Sequence, residues 1–243
     1  MDAEISADLA RTEAATGRLL AGVSALTDEQ ARGPSLLPGW TRGHVLTHIA
    51  RNADGMVSVL RSARTGAGIA MYASDASRDA DVEAGAGRPA AALVSDVRES
   101  AARFAQEAGL MPAGAWAALV RRTPGGDQFP AHVVPIRRLG EVEIHHADLG
   151  LAYQPGDWPE EFTAAYLPRL TRTWAGRDDV PPFRVRAAGQ ERTWQLGPAG
   201  REGGPLVAGP AAALVAWLTG RGNGSGLQVT PAGEPLPVLP AWR

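Results

Sequence analysis

The chain has no cysteine. That excludes disulfides, thiolate metal ligands and a cysteine nucleophile together, so any thiol chemistry must use a thiol brought from outside. It has no lysine either, since all 24 basic residues are arginine, and this rules out a Schiff base on a lysine side chain. With abundant Ala, Gly and Pro, the all-arginine usage reads as a compositional bias of the source genome rather than a functional signal. No apolar run approaches the roughly 20 residues of a membrane-spanning helix. The opening stretch MDAEISADLARTEAATGRLL has no basic leader followed by an apolar block, so no secretory signal is expected. A net charge of −2 over 243 residues argues against a nucleic-acid partner, whose phosphates demand a basic surface. The expectation is a cytoplasmic enzyme acting on a small molecule.

The first half of the chain reads as long helices. Apolar residues recur at helical spacing over 4–26 (Ile5, Leu9, Leu19, Leu20, Val23, Leu26). After the turn Leu37-Pro38-Gly39, Thr41 is the expected N-cap of a helix running to about Arg64, with Val45, Ile49, Ala53, Met56 and Leu60 as its core stripe. Residues 65–87, rich in Gly, Ala, Asp and Ser, read as a long loop, and a third helix fits 88–109. Pro124-Gly125-Gly126 marks a turn with short extended flanks, followed by a fourth helix from about Val134 to Leu151 with Pro135 in its first turn. These elements predict an antiparallel four-helix bundle over residues 1–153. Beyond Tyr153, a helix (158–175), strands FRVRAA and RTWQL, a helix (209–219) and a strand LQVT predict a smaller α+β domain over 154–243.

Two segments carry chemistry: GHVLTHIARN around His48 and RRLGEVEIHHADLG around Glu141 and His145. Glu141 and His145 are four apart, so on a helix they share one face. His48, at the flank of its own stripe, supplies a second imidazole from another helix. Two imidazoles and a carboxylate form the ligand set of an open zinc site, which keeps a coordination position for a further ligand. The plainer reading is a solvated polar face. Against it, the stripe Arg138, Glu141, His145, Asp148 is flanked by apolar Ile136, Leu139, Val142, Ile144 and Leu149, as if it faced a pocket. Arg138 and Asp148 then suit groups that orient the ligands. His44, four before His48, and His146, about 100° around the helix from His145, are weaker ligand candidates. His132 reads as surface, and Trp40 as an anchor at the start of its helix. Arg221, in WLTGRGNGSG, reads on its own as a residue closing a helix C-terminus.

SLLPGWTRGHVLTHIARNADG, MYASDASRDADVEAG, RRLGEVEIHHADLG and TGRGNGSGLQVTPAGEPLPVLPAWR, in that order and over nearly the whole chain, resemble the mycothiol-dependent maleylpyruvate isomerases of the DinB-like superfamily. The resemblance implies a DinB-like bundle joined to a C-terminal α+β domain. It implies His48, Glu141 and His145 as zinc ligands, and it replaces the plain reading of Arg221 with an essential active-site arginine. Mycothiol as thiol cosubstrate and a small diacid substrate follow from it. Arg78 and Tyr72, in the second of these segments, become candidates for contacting the diacid or mycothiol. Two rivals remain open: a mycothiol S-transferase acting on another electrophile, and a non-catalytic zinc-binding regulator.

Overall fold

The computed structural model describes residues 2–242 and divides into two compact units, residues 1–154 and 155–243. The first unit holds six helices: α1 (Asp2–Gly22), α2 (Asp28–Arg32), α3 (Arg42–Thr65), α4 (Asp75–Ala86), α5 (Ala90–Gly109) and α6 (Val134–Asp148). Four of them close a ring in the order α1–α6–α3–α5, each packing against its two neighbours. This order sets α3 beside α6, which is what a site built from His48, Glu141 and His145 requires. The core between them includes Ile5, Met56, Leu60, Phe104, Trp116 and Val134. Burial of side chains of this size stabilises by about 1.5–3 kcal/mol each.

Local signals set the helix ends. Thr41 caps α3 in a capping box with His44, whose Nδ1 accepts from the Thr41 N–H at 3.1 Å. Gly66, at φ 73°, closes the same helix in the left-handed conformation that glycine adopts without strain. Pro135 occupies the first turn of α6, where its missing N–H costs nothing. A short antiparallel hairpin, β1 (Leu119–Arg121) with β2 (Gln128–Pro130), brackets the Pro-Gly-Gly turn.

The stretch 65–87 departs from expectation. It is not a loop throughout, because α4 occupies its second half, capped by Ser74 and Ser77. Its composition hid it: only Val82 and Ala86 of this helix are buried, too thin a stripe for a periodic signal. The first helix also ends earlier, at Gly22, with the separate short α2 after it.

The second unit packs α7 (Glu160–Trp174) and α8 (Ala211–Leu218) with a four-stranded sheet. Strands β3 (Phe183–Ala187), β4 (Trp194–Leu196), β5 (Leu206–Gly209) and β6 (Gln228–Thr230) lie in the order β4-β3-β5-β6, with β3 and β5 parallel and the outer pairs antiparallel. Strand β3 alternates as a half-buried strand should: Phe183, Val185 and Ala187 point inward with Val207 and Trp217, and Arg184 and Arg186 face the other way. Strand β5 was not foreseen: its four residues, LVAG, are too few to show a periodic pattern. The overall class is the expected one, a helical bundle with a smaller α+β part. Among the described residues no helix is long and apolar enough to cross a membrane.

Candidate metal centre

Among the described residues His48, Glu141 and His145 form the one group of three potential donors with ligand atoms all within 4.8 Å of one another. His48 comes from α3, and the other two lie one turn apart on α6. His48 Nε2 is 2.9 Å from Glu141 Oε2, and His145 Nε2 is 3.4 Å from the same oxygen. The two imidazoles meet edge to face, with centroids 4.5 Å apart. Three donors converging from two helices, with Glu141 still partly open to solvent (29%), leave one side for a further ligand.

Each ring is held from behind. Asp148 Oδ2 accepts from His145 Nδ1 at 2.8 Å, which holds the ring with Nε2 turned toward the cluster. Arg78 Nη2 lies 3.0 Å from His48 Nδ1. Arginine can only donate, so this contact makes Nδ1 the acceptor and puts the ring proton on Nε2, toward Glu141. Trp40 lies against the same histidine, with centroids 5.7 Å apart.

Electrostatics follow from burial and these contacts. Burial pushes His48 down to about 4, helped by the charge of His145 and of Arg78 and opposed by Glu141. Burial also opposes the charge of Glu141, but hydrogen bonds from both histidines overcome it and hold its carboxyl well below the usual range. For His145, burial is outweighed by the hydrogen bonds to Asp148 and Glu141, and its pKa rises. The pocket thus holds an ionised carboxylate and one firmly neutral imidazole, the protonation states that a divalent cation needs.

The other histidines lie elsewhere. His44 serves the α3 capping box through Nδ1, and its Nε2 is 3.1 Å from Glu83. His146 stacks flat on Tyr153, 3.9 Å between centroids. His132 sits, half-buried, in a short 3-10 turn before α6. Arg138 reaches past the ligands to α3, donating through Nη1 to the Ile49 carbonyl (2.8 Å) and Asn52 Oδ1 (2.9 Å), whereas Asp148 does contact a ligand.

Arg78 is not in a loop; α4 carries it onto His48, with its guanidinium 5.6 Å from the Trp40 ring centroid. Tyr72 lies against Arg122, whose guanidinium is 5.4 Å from its ring centroid. Burial and then the charge of Glu141 push its phenol up to about 12. Arg221 belongs to the second unit, just after α8. It donates to the Thr219 carbonyl at 2.6 Å and lies 5.4 Å from the Trp242 ring centroid. Asn52 went unnoticed in the sequence, although its position four residues after His48 puts it on the same helical face.

No curated protein sequence matches the chain. Its fold has a solved counterpart: the crystal structure of a mycothiol-dependent maleylpyruvate isomerase is similar with a TM-score of 0.82 and 27% identity, covering 98% of this chain and 97% of that one. A histidine-to-alanine mutant of such an isomerase is similar to the same degree, with a TM-score of 0.82 and 26% identity over 98% and 97% of the two chains. The family model for the mycothiol maleylpyruvate isomerase N-terminal domain matches residues 12–150, and that for the family's C-terminal domain matches residues 157–240. With both domain models matched in order, the chain belongs to the mycothiol maleylpyruvate isomerase family.

Proposed function

We propose that the protein catalyses the mycothiol-dependent conversion of maleylpyruvate to fumarylpyruvate, with His48, Glu141 and His145 as the ligands of a zinc ion. The observation that carries this reading is the convergence of those three donors within 4.8 Å in a chain that has no cysteine of its own. A zinc ion held there would supply the acidity that keeps the thiol of mycothiol ionised near neutral pH. The thiolate sulfur adds to the conjugated double bond of maleylpyruvate, and the electron pair moves to the carbonyl oxygen as an enolate. The former double bond is now single and rotates. Collapse of the enolate re-forms the double bond as trans and expels the thiolate, with no net redox change.

The chain's own residues prepare this chemistry. Asp148 holds His145 with Nε2 forward. His48 can offer Nε2 to a cation only with its proton on Nδ1, so Arg78 must release that nitrogen. Its guanidinium is then free to meet a carboxylate of the substrate or a polar group of mycothiol. Tyr72 offers a hydroxyl for the same contact. Arg221 is the proposed stabiliser of the enolate oxygen. Its planar fork suits an oxyanion, and loss of such a donor costs on the order of 100-fold or more in rate.

The test follows maleylpyruvate absorbance with zinc-loaded protein, with and without mycothiol. Fast formation of the trans isomer only with the thiol present, abolished by His48→Ala, is the expected result. No conversion by metal-loaded protein would overturn the reading and leave transfer of mycothiol to another electrophile in its place.

A further inference from the structure

Helices α1 and α5 leave an open groove of about 570 Å³ between them. Its sides are built from small residues, Ala101, Ala102, Ala105 and Gly109 on α5 with Ala10 and Gly17 on α1. A Cβ placed on Gly17 or on Gly109 would meet nothing within 4 Å, so neither helix fills the space. Along α1 the groove runs from Leu9 to Leu20, roughly 16 Å at the helical rise per residue. None of His48, Glu141 and His145 lines it.

Its floor holds one charge. Arg138, 1% exposed, contributes to that floor from α6. Its Nη1 donates to the Ile49 carbonyl and to Asn52 Oδ1, whereas Nε and Nη2 have no hydrogen-bond partner among the described residues. No carboxylate among those residues pairs with it. Burial lowers its pKa to about 10, which still leaves a cation at neutral pH. A charge taken out of water without a counter-charge is costly. Leu139 and Val142 show that this helix fills its core with apolar side chains elsewhere. Two unspent donors on a buried cation, under an unfilled groove, call for an anion.

The other polar groups of the groove do not answer that call. Thr12 and Thr16 spend their hydroxyl protons on their own helix, donating to the Asp8 and Thr12 carbonyls at 2.7 and 2.8 Å. Toward the groove they can only accept, which a carboxylate cannot use. Glu13 and Arg98 stand exposed at the rim, one of each sign. Leu9, Leu20, Phe104 and Ala108 supply further apolar wall. The volume falls within the roughly 300–1,000 Å³ of small-molecule sites. The long, narrow course between two helices suits an extended chain better than a compact ring.

We infer that this groove is a binding site for a medium-chain aliphatic monocarboxylate, with the chain lying between α1 and α5 and the carboxylate set over the Arg138 guanidinium. The site stands apart from the proposed isomerisation and needs no metal. Charge and chain contribute separately: the cation acts across a floor of low dielectric, and each methylene removed from water adds to affinity.

The experiment titrates the zinc-loaded full chain by calorimetry with decanoate, kept below the concentration at which it forms micelles. One decanoate should bind per chain. Octanoate, two methylenes shorter, should bind about ten-fold more weakly. Decanol, which keeps the chain and lacks the charge, should be weaker by at least about ten-fold, the scale of a hydrogen bond to a charged group. Arg138→Met replaces the cation by an apolar side chain of similar reach. It should weaken decanoate to the same degree and leave decanol unchanged. Gly17→Phe projects a ring into the empty space without touching Arg138, and it should abolish binding of both. His48→Ala, which removes a zinc ligand, should leave decanoate affinity as it was.

Equal affinity for decanol and decanoate overturns the inference, as does decanoate binding untouched by Gly17→Phe or absent from the wild-type protein. These comparisons decide even where Arg138→Met does not fold. Loss of decanoate binding in His48→Ala would put the carboxylate on the metal and also overturns it. So does a dimer by light scattering that Gly17→Phe dissociates, since a second copy of the chain would then be what fills the groove.

Discussion

Helix α6 carries two carboxylate–histidine pairs, and they behave in opposite ways. Glu141 and His145 face α3, where His48 and, behind His145, Asp148 leave a set of nitrogen and oxygen donors around one point. Glu143 faces α1 and is fully buried, taking an ion pair from Arg18 and a 2.5 Å hydrogen bond from the Tyr153 hydroxyl. Its neighbour His146 is covered by the Tyr153 ring and by the end of α1, where a Cβ on Gly22 would come 2.9 Å from His146 Nε2. The residue types on α6 are the same. The partner decides: a permanent arginine cation neutralises one carboxylate, while the other meets imidazoles, which can give up a proton and leave it able to bind a cation.

Substitutions on each face should separate affinity from stability. The largest effect belongs to Glu141→Gln, which keeps the shape and removes the charge. Its zinc affinity, measured against a chelator, should fall beyond the roughly 100-fold that loss of an outer partner costs, with the fold intact by circular dichroism. Asp148→Asn weakens the hold on the His145 ring and should cost about 10–100-fold in the same titration. On the opposite face, Glu143→Gln should lower stability by about 1–3 kcal/mol in urea unfolding, because it takes the charged acceptor from Arg18 and Tyr153, and leave zinc affinity alone. A drop in zinc affinity there equal to that of Asp148→Asn would show that the two faces are not separate.

The smallest effect is a dependence on alkaline pH. Burial, then the hydrogen bond to Glu143, raises the Tyr153 pKa above its ordinary value. A raised folded-state pKa contributes stability fully present below about 10, the unfolded tyrosine value, and lost as pH climbs through the folded one. Tyr153→Phe should flatten that alkaline loss in unfolding curves taken on both sides of pH 10.

Much of this was legible in the chain. The capping signal at Thr41 and the proline at the start of α6 set helix boundaries, and four-residue spacing put Glu141 and His145 on one face. What the sequence could not show was which helices are neighbours, because ring order depends on tertiary packing. It therefore gave no means of deciding between Arg138 and Asp148 as the group behind a ligand. Nor could it foresee that His44 would be occupied by its own helix cap. The helix over Asp75–Ala86 was hidden for another reason: with two buried residues its stability comes from where it docks, not from its periodicity. Arg78 was accordingly read as a loop residue, and its contact with His48 appears only in three dimensions.

That docking has a consequence for anyone wishing to transplant the cluster. Helices α3 and α4 approach closely at two glycines: a Cβ on Gly43 would lie 2.1 Å from the Ala86 carbonyl oxygen, and one on Gly85 would lie 2.4 Å from the Thr47 side-chain carbon Cγ2. These two missing methyl groups set how far Arg78 stands from His48. A scaffold given the three donors but an ordinary alanine-lined seam would hold its helices too far apart for the arginine to reach. The portable unit is thus the glycine-seated helix pair together with α6, and a designer who copies only the donor triad inherits three side chains without the arginine that contacts His48.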